Sequence, residues 1–141
     1  MRTVRDLTPS PRAHGAQRML SSTTLTIEAL VVFFALLVAH QLSPEHRLMT
    51  WAFGLATAVG LLLVSGMLKR GSWPYYAGMA LQVPILLLGI LVPAMWVIGL
   101  VFGGLFVFGV YKGHQLDAEK DEVDRRYRAA HPEEAQGGED R

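Results

Sequence analysis

From Gly71 to Tyr111 the chain runs for 41 residues without one charged side chain. A soluble domain of 141 residues must wet most of its length, and such a run cannot be turned into a water-facing surface. The pattern extends further. From Ala29 to Tyr111, 83 residues, only Glu45, Arg47, Lys69 and Arg70 are charged, whereas the other 21 charges lie in the 58 residues outside that span. The averages of 51% hydrophobic, 18% charged and net +1 conceal this segregation, because they resemble those of an ordinary globular domain. The pattern predicts an all-α, polytopic membrane protein with charged ends.

A helix rises about 1.5 Å per residue and the hydrocarbon core is about 30 Å thick, so about 18 to 20 apolar residues cross it. Four segments meet that length: about 25–42, 49–68, 75–92 and 94–111. Read as one helix, the stretch from Tyr75 to Tyr111 would be 37 residues, too long for ordinary tilt. Pro93 is where it must fold back, as the first residue of a new helix whose missing N–H would be unpaired anyway. The tip of that hairpin carries no polar side chain, so its freed backbone groups are expected to find partners in headgroup water or neighbouring helices.

Direction follows from the basic residues. Arg2, Arg5, Arg12 and Arg18 precede the first span, Lys69 and Arg70 lie between the second and third, six more follow the fourth, and only Arg47 falls on the other side. The positive-inside rule therefore places both termini in the cytoplasm, as a multi-pass protein of the inner (cytoplasmic) membrane. Trp73, Tyr75, Tyr76 and Tyr111 fall at the inner boundary and Trp51 and Trp96 at the outer one, as interfacial aromatics do. The first span is not read as a cleaved signal peptide, despite a weak small-residue site at Leu37 and Ala39. Its leader is long and Glu28 interrupts the apolar region.

The domain organisation that results is a leader over 1–22, a four-helix transmembrane domain over 23–112 and a charged tail over 113–141. Ser10 and Pro11 read as a cap and first turn of a short leader helix. In the tail, Asp121 with Arg125, Glu122 with Arg126 and Asp124 with Arg128 are acid-to-base pairs at i, i+4, which favour a solvated helix to about residue 130. Leu116, Val123 and Tyr127 share an apolar edge on it. Pro132 ends it, and the remaining residues are expected to be disordered.

Few residues inside the spans carry chemistry. Glu28 sits about one turn into the first span, and an ionisable group at membrane depth is a candidate site by default. A second reading treats it as an anchor, favoured by the positive end of the helix dipole and by interfacial water. Gln82 enters the third span from the same side and can approach the depth of Glu28. It stands two residues before Pro84, which leaves the carbonyl of Ala80 without its usual donor. Gln82 can therefore mend that local defect or bond across helices. His40 and His46 have no metal-ligand spacing, and the chain contains no cysteine, so neither a metal nor a cofactor is implied. No nucleophile with a base and no phosphate loop is present, so the expectation is a protein that is not an enzyme. A net charge of +1 implies no nucleic-acid partner.

Small residues recur at intervals of four at Ala52, Ala56 and Gly60 in the second span and at Gly99 and Gly103 in the fourth. That spacing lets helix backbones approach closely, either within one bundle or between copies.

The stretch Glu28, Ala29, Leu30, Val31, Val32, the pair Gln82 and Val83, and the turn from Val92 to Met95 resemble, in that order, an uncharacterised actinobacterial family of small four-helix membrane proteins. The resemblance covers roughly residues 18–112. The family is a domain of unknown function often encoded beside folylpolyglutamate synthase, so the resemblance implies the fold and hints at folate metabolism only by gene neighbourhood. Two functional classes follow. One is an accessory or structural membrane component, surrounded by the lipid bilayer and binding a membrane-protein partner or a second copy of itself. The alternative is a small proton-coupled transporter using Glu28, since four short spans with an acid in the first are similar to small multidrug-resistance exporters. Those work as antiparallel dimers, which the one-sided basic residues disfavour here. Glu28 also reads as shallow for an alternating-access site.

Overall fold

The computed structural model describes residues 7, 9–11, 15–42 and 44–132. Arg2, Arg5, Arg12 and the disorder expected beyond residue 132 lie outside them. The described elements are all helical: α1 (Ala16–Leu42), a 3-10 turn (Pro44–His46), α2 (Arg47–Met67), a second 3-10 turn (Leu68–Arg70), α3 (Trp73–Leu88) and α4 (Ala94–Ala130). Each of α1 and α3 packs on both α2 and α4, while α1 and α3 touch only thinly across the middle. Gly15, Arg18, Lys69 and Asp117 line one hollow, so the start of α1, the end of α2 and the middle of α4 meet at one end of the bundle. The helices therefore alternate in direction, and α3 must carry the chain from this basic end to the opposite one.

Three helical segments are long and apolar enough to cross a membrane, at 16–42, 44–70 and 94–130. The third helix is shorter than the sequence predicts. It stops at Leu88 rather than Val92, and its 16 residues rise only about 24 Å. The cause is a tightening of the backbone. Gly89 N–H donates to the carbonyl of Leu86, Ile90 to Leu87, and Leu91 and Val92 both to Leu88. Those bonds also correct the expectation that the turn must borrow partners from outside, since the chain satisfies much of its own tip. Pro93 occupies the capping position of α4, with φ −54°, one residue before the position expected for it. Gly89 lets the Trp96 ring lie against the turn, where a Cβ would come within 2.6 Å of it.

The other connections are equally compact. Gly71, at φ 145°, adopts a backbone conformation that side chains disfavour and turns the chain from Arg70 towards α3. At the far end, Trp51 Nε1 donates to His40 Nδ1 at 3.0 Å and the Arg47 guanidinium donates to the His40 carbonyl at 3.3 Å. Ser10 and Pro11 are themselves non-helical, the rest of the expected leader helix lies outside the described residues, and α1 begins at Ala16. Ser10 instead donates its hydroxyl hydrogen to Asp121 Oδ1.

The core is a single apolar column. Leu25, Ala29 and Val32 of α1 meet Ala58, Leu61 and Val64 of α2, Ile85 and Leu88 of α3, and Met95, Phe106 and Val110 of α4. Large apolar side chains also cover the outside of all four helices, among them Val38, Leu63, Val83 and Phe108. An apolar exterior of this extent suits lipid and not water. Tyr75 departs from the expected interfacial belt: it is fully buried, whereas Trp73 and Tyr76 on the same helix point outward.

α4 is one helix of 37 residues that leaves the bundle without a break. On its extension Glu122 accepts from the side chains of both Arg125 and Arg126, and these bonds hold its carboxyl below the usual range. Within the bundle, α4 presses on α1 at Gly113, where an added Cβ would meet the Gln17 backbone nitrogen at 2.6 Å. Backbone cannot step aside as a flexible side chain can. Gly113→Ala is therefore expected to destabilise the protein by roughly 1–3 kcal/mol. Gly104→Ala, with nothing within 4 Å of the new methyl group, is expected to be neutral or stabilising. Thermal unfolding in detergent compares them, and equal melting temperatures would refute the close α1–α4 approach.

Candidate functional site

The buried face of α1 reads Gln17, Ser21, Leu25, Glu28, Val32, Leu36, a helical stripe that is polar at the basic end and apolar beyond Glu28. The corresponding stripe on α3 reads Tyr75, Gly78, Gln82, Ile85. Both helices run away from the basic end, so Ser21 and Glu28 are spaced along α1 as Tyr75 and Gln82 are along α3. Gln82 Nε2 donates to Glu28 Oε2 at 3.0 Å, and the two residues are 8% and 0% exposed. The structure thus brings together the two polar residues that the sequence singles out. Gln82 bonds across helices.

The anchor reading of Glu28 rests on its lying near a helix start, and α1 starts earlier than that reading requires. Glu28 lies twelve residues past Ala16, about 18 Å along the axis, and the dipole's influence fades within the first turn. Its side chain is also closed off from solvent. The carboxylate that serves the start of α1 belongs to another helix. Asp117 of α4 accepts from the backbone N–H of Ala16 at 2.7 Å on Oδ1 and of Gln17 at 3.0 Å on Oδ2. It supplies the cap that the sequence at Gly15 and Ala16 lacks. Gly15 leaves room for it, since a Cβ would come within 2.8 Å of Oδ2.

Asp117 is only 3% exposed, although in the sequence it reads as one more charge on a solvated tail. The missing signal was the spacing Phe106, Val110, Gly113, Asp117, which continues the buried stripe of α4 past its last apolar residue. Ser21, Gln17 and His114 carry no such signal in the sequence, and Tyr75 reads there as an interfacial aromatic. Each places a polar atom in the interior without a hydrogen-bonding partner: Tyr75 Oη, Ser21 Oγ, Gln17 Oε1 and His114 Nε2. Glu28 Oε1 and Gln82 Oε1 are in the same position. The interior is thus lined with polar atoms from the basic end to the Glu28–Gln82 bond. Chemically it offers a carboxyl group, two amides, two hydroxyls and an imidazole, with capacity to accept a proton or bind water.

The small residues divide by helix. Gly99 lies against Ile85 and Leu86, and Gly103 lies against Gln82, where a Cβ would sit 3.1 Å from Oε1. Gly60 faces Leu81 across the α2–α3 contact, while Ala52 and Ala56 are exposed on the outside of α2. The tightest approach on α2 is Gly54, whose missing side chain is replaced by Leu36. Among the described residues no cluster of three or more His, Asp or Glu is placed to hold a metal ion.

Fold and site define a small, all-helical protein with apolar helices of membrane-crossing length around a buried acid–amide pair. The chain belongs to the family described as protein of unknown function (DUF4233), whose match covers residues 18–122. That range takes in Glu28, Gln82 and Asp117, and it reaches beyond Tyr111 into the extension of α4. No curated protein and no solved structure matches the chain.

The pair and the cap are separable by mutation. Gln82→Leu leaves a buried carboxyl group without its donor and is expected to cost roughly 1–3 kcal/mol. Glu28→Gln keeps an acceptor for the amide and should cost less. Chemical unfolding in detergent tests this, and a Gln82→Leu loss no larger than that of Val83→Ala on the outer face of α3 would count against the bond. Asp117→Ala removes the cap of α1 and is expected to cost roughly 0.5–2 kcal/mol. Hydrogen exchange should then rise at Ala16 and Gln17 first, and unchanged exchange there would contradict the capping role.

Proposed function

We propose that the protein is a four-span component of the cytoplasmic membrane, with both termini inside, that acts without catalysis as an accessory or structural partner of another protein. The observation that carries this reading is the continuity of α4. It runs about 55 Å as one helix, from a bundle with a lipid-compatible exterior into a charged rod. Leu116, Val123 and Tyr127 are 44%, 64% and 54% exposed on that rod, which gives a partner an apolar edge among its charges. In this reading α3 is the fourth span. Its outward residues are apolar, and the apolar turn over 89–92 adds to its reach.

A second reading is supported by the polar interior. Glu28 and Gln82 each keep a buried oxygen without a partner, an arrangement that a transported proton would complete. Their hydrogen bond, sealed within the bundle, favours a structural role over an open carrier site.

Two measurements separate the readings. Under the accessory reading the protein copurifies from its native membrane with a stable partner, and shortening the chain after Glu122, which spares Gly113 and Asp117, abolishes that association. Under the transport reading, proteoliposomes show proton-coupled flux that Glu28→Gln eliminates, and this result would overturn the first proposal. Accessibility tagging of the C-terminus should find it cytoplasmic, and an external tail would refute the orientation.

A further inference from the structure

Where α1 and α2 meet at the basic end, a cleft of about 310 Å³ opens between Arg18, Met19, Ser22, Thr23, Ser65 and Lys69. A second hollow of about 320 Å³ shares Gly15, Arg18 and Lys69 with it. These volumes lie near the lower end of the range for small-ligand sites. Two cations from different segments, the 3-10 turn after α2 and the first turn of α1, thus border the same space. Like charges brought together by a fold repel each other unless something negative lies between them.

In the first cleft that negative group is missing, and the second has one carboxylate, Asp117, against the two cations. Among the described residues neither Arg18 nor Lys69 makes an ion pair or a side-chain hydrogen bond, and Asp117 holds its two oxygens on the backbone N–H groups of Ala16 and Gln17. The wall of the cleft is hydroxylic. Ser22 Oγ and Ser65 Oγ lie 2.9 Å apart and Ser65 also donates to the Ser22 carbonyl at 3.2 Å, while Thr26, outside the lining, donates to the same carbonyl at 2.8 Å. Those hydroxyl hydrogens are used within the protein, so the groups left to an anion are the guanidinium, the ammonium and the Thr23 hydroxyl, a set that recognises a phosphate group. Gly66, which also lines the cleft, has open space where its side chain would be.

We propose that this cleft binds a phosphate-bearing anion between Arg18 and Lys69. The inference does not depend on whether the bundle is accessory or carrier. Two sources share the chemistry, an anionic phospholipid headgroup and a soluble phosphate. Exposed Met19 beside the cations adds an apolar margin on which a lipid's glycerol and acyl segments fit.

The test uses the full-length protein, delipidated in detergent, titrated separately with phosphatidylglycerol by native mass spectrometry and with inorganic phosphate by calorimetry. The variants are the double substitution Arg18→Gln with Lys69→Gln, and Gly66→Glu, which places a carboxylate in the open cleft. Arg70→Gln, a neighbouring cation outside the cleft lining, is the control. For a lipid site, both cleft variants weaken phosphatidylglycerol binding by about tenfold or more, and Arg70→Gln changes it less than about threefold. For a soluble-phosphate site the same pattern appears with inorganic phosphate and not with the lipid. Thermal unfolding identifies any variant that fails to fold, and the remaining cleft variant then decides. Binding of both probes that is unchanged in the folded cleft variants would overturn the proposal, as would an equal loss in Arg70→Gln.

Discussion

A polypeptide surrounded by apolar groups has to satisfy its backbone N–H and C=O groups from within, and the architecture follows from that requirement. Four helices meet it along their lengths, so the difficult places are their ends. The α3–α4 hairpin answers by tightening into bonds of shorter reach over 89–92, at the cost of four residues of expected helix. The start of α1 answers differently, by taking a carboxylate from α4 through Asp117. Both solutions hold adjacent helices together at opposite ends of the bundle, one through covalent continuity and one through charge-assisted hydrogen bonding.

Between those ends the helices are held by shape, and there glycines set the contacts. Phe106 fills the space at Gly78, Leu36 that at Gly54, and the Gln17 backbone that at Gly113. Glu28 and Gln82 add a directional contact to an otherwise non-directional core. They link α1 and α3, a diagonal pair that otherwise touches only thinly. One bond across that diagonal fixes the rotation of two helices about their axes, which van der Waals contacts alone leave less strictly defined.

Much of this was legible in the sequence because charge and hydropathy vary so sharply along it. The apolar runs, the reversal at Pro93 and the pairing of Glu28 with Gln82 at a common depth follow from spacing along helices of known rise. The length of α3 did not, because an apolar turn and an apolar helix have the same composition between Leu88 and Val92. Asp117 was hidden for a related reason. Its neighbours in sequence are charged and solvated, and only the contact with α1 some hundred residues away makes it an interior residue. Tyr75 was misplaced because aromatic side chains at a span's end read alike, whichever face of the helix they occupy. Ala52 and Ala56 show the same limitation from the other side, since spacing alone does not say which face of a helix turns inward.

The contact at Gly113 has a mechanical meaning. There the backbones of α1 and α4 meet without an intervening side chain, and Asp117 clamps the same crossing one turn later. From that crossing α4 reaches about 28 Å back to Ala94 and about 25 Å outward to Ala130. A stiff rod held near its middle is a lever with nearly equal arms. A sideways pull on the protruding half would swing the half inside the bundle by a similar distance in the opposite direction, against the glycines that bed it on α3.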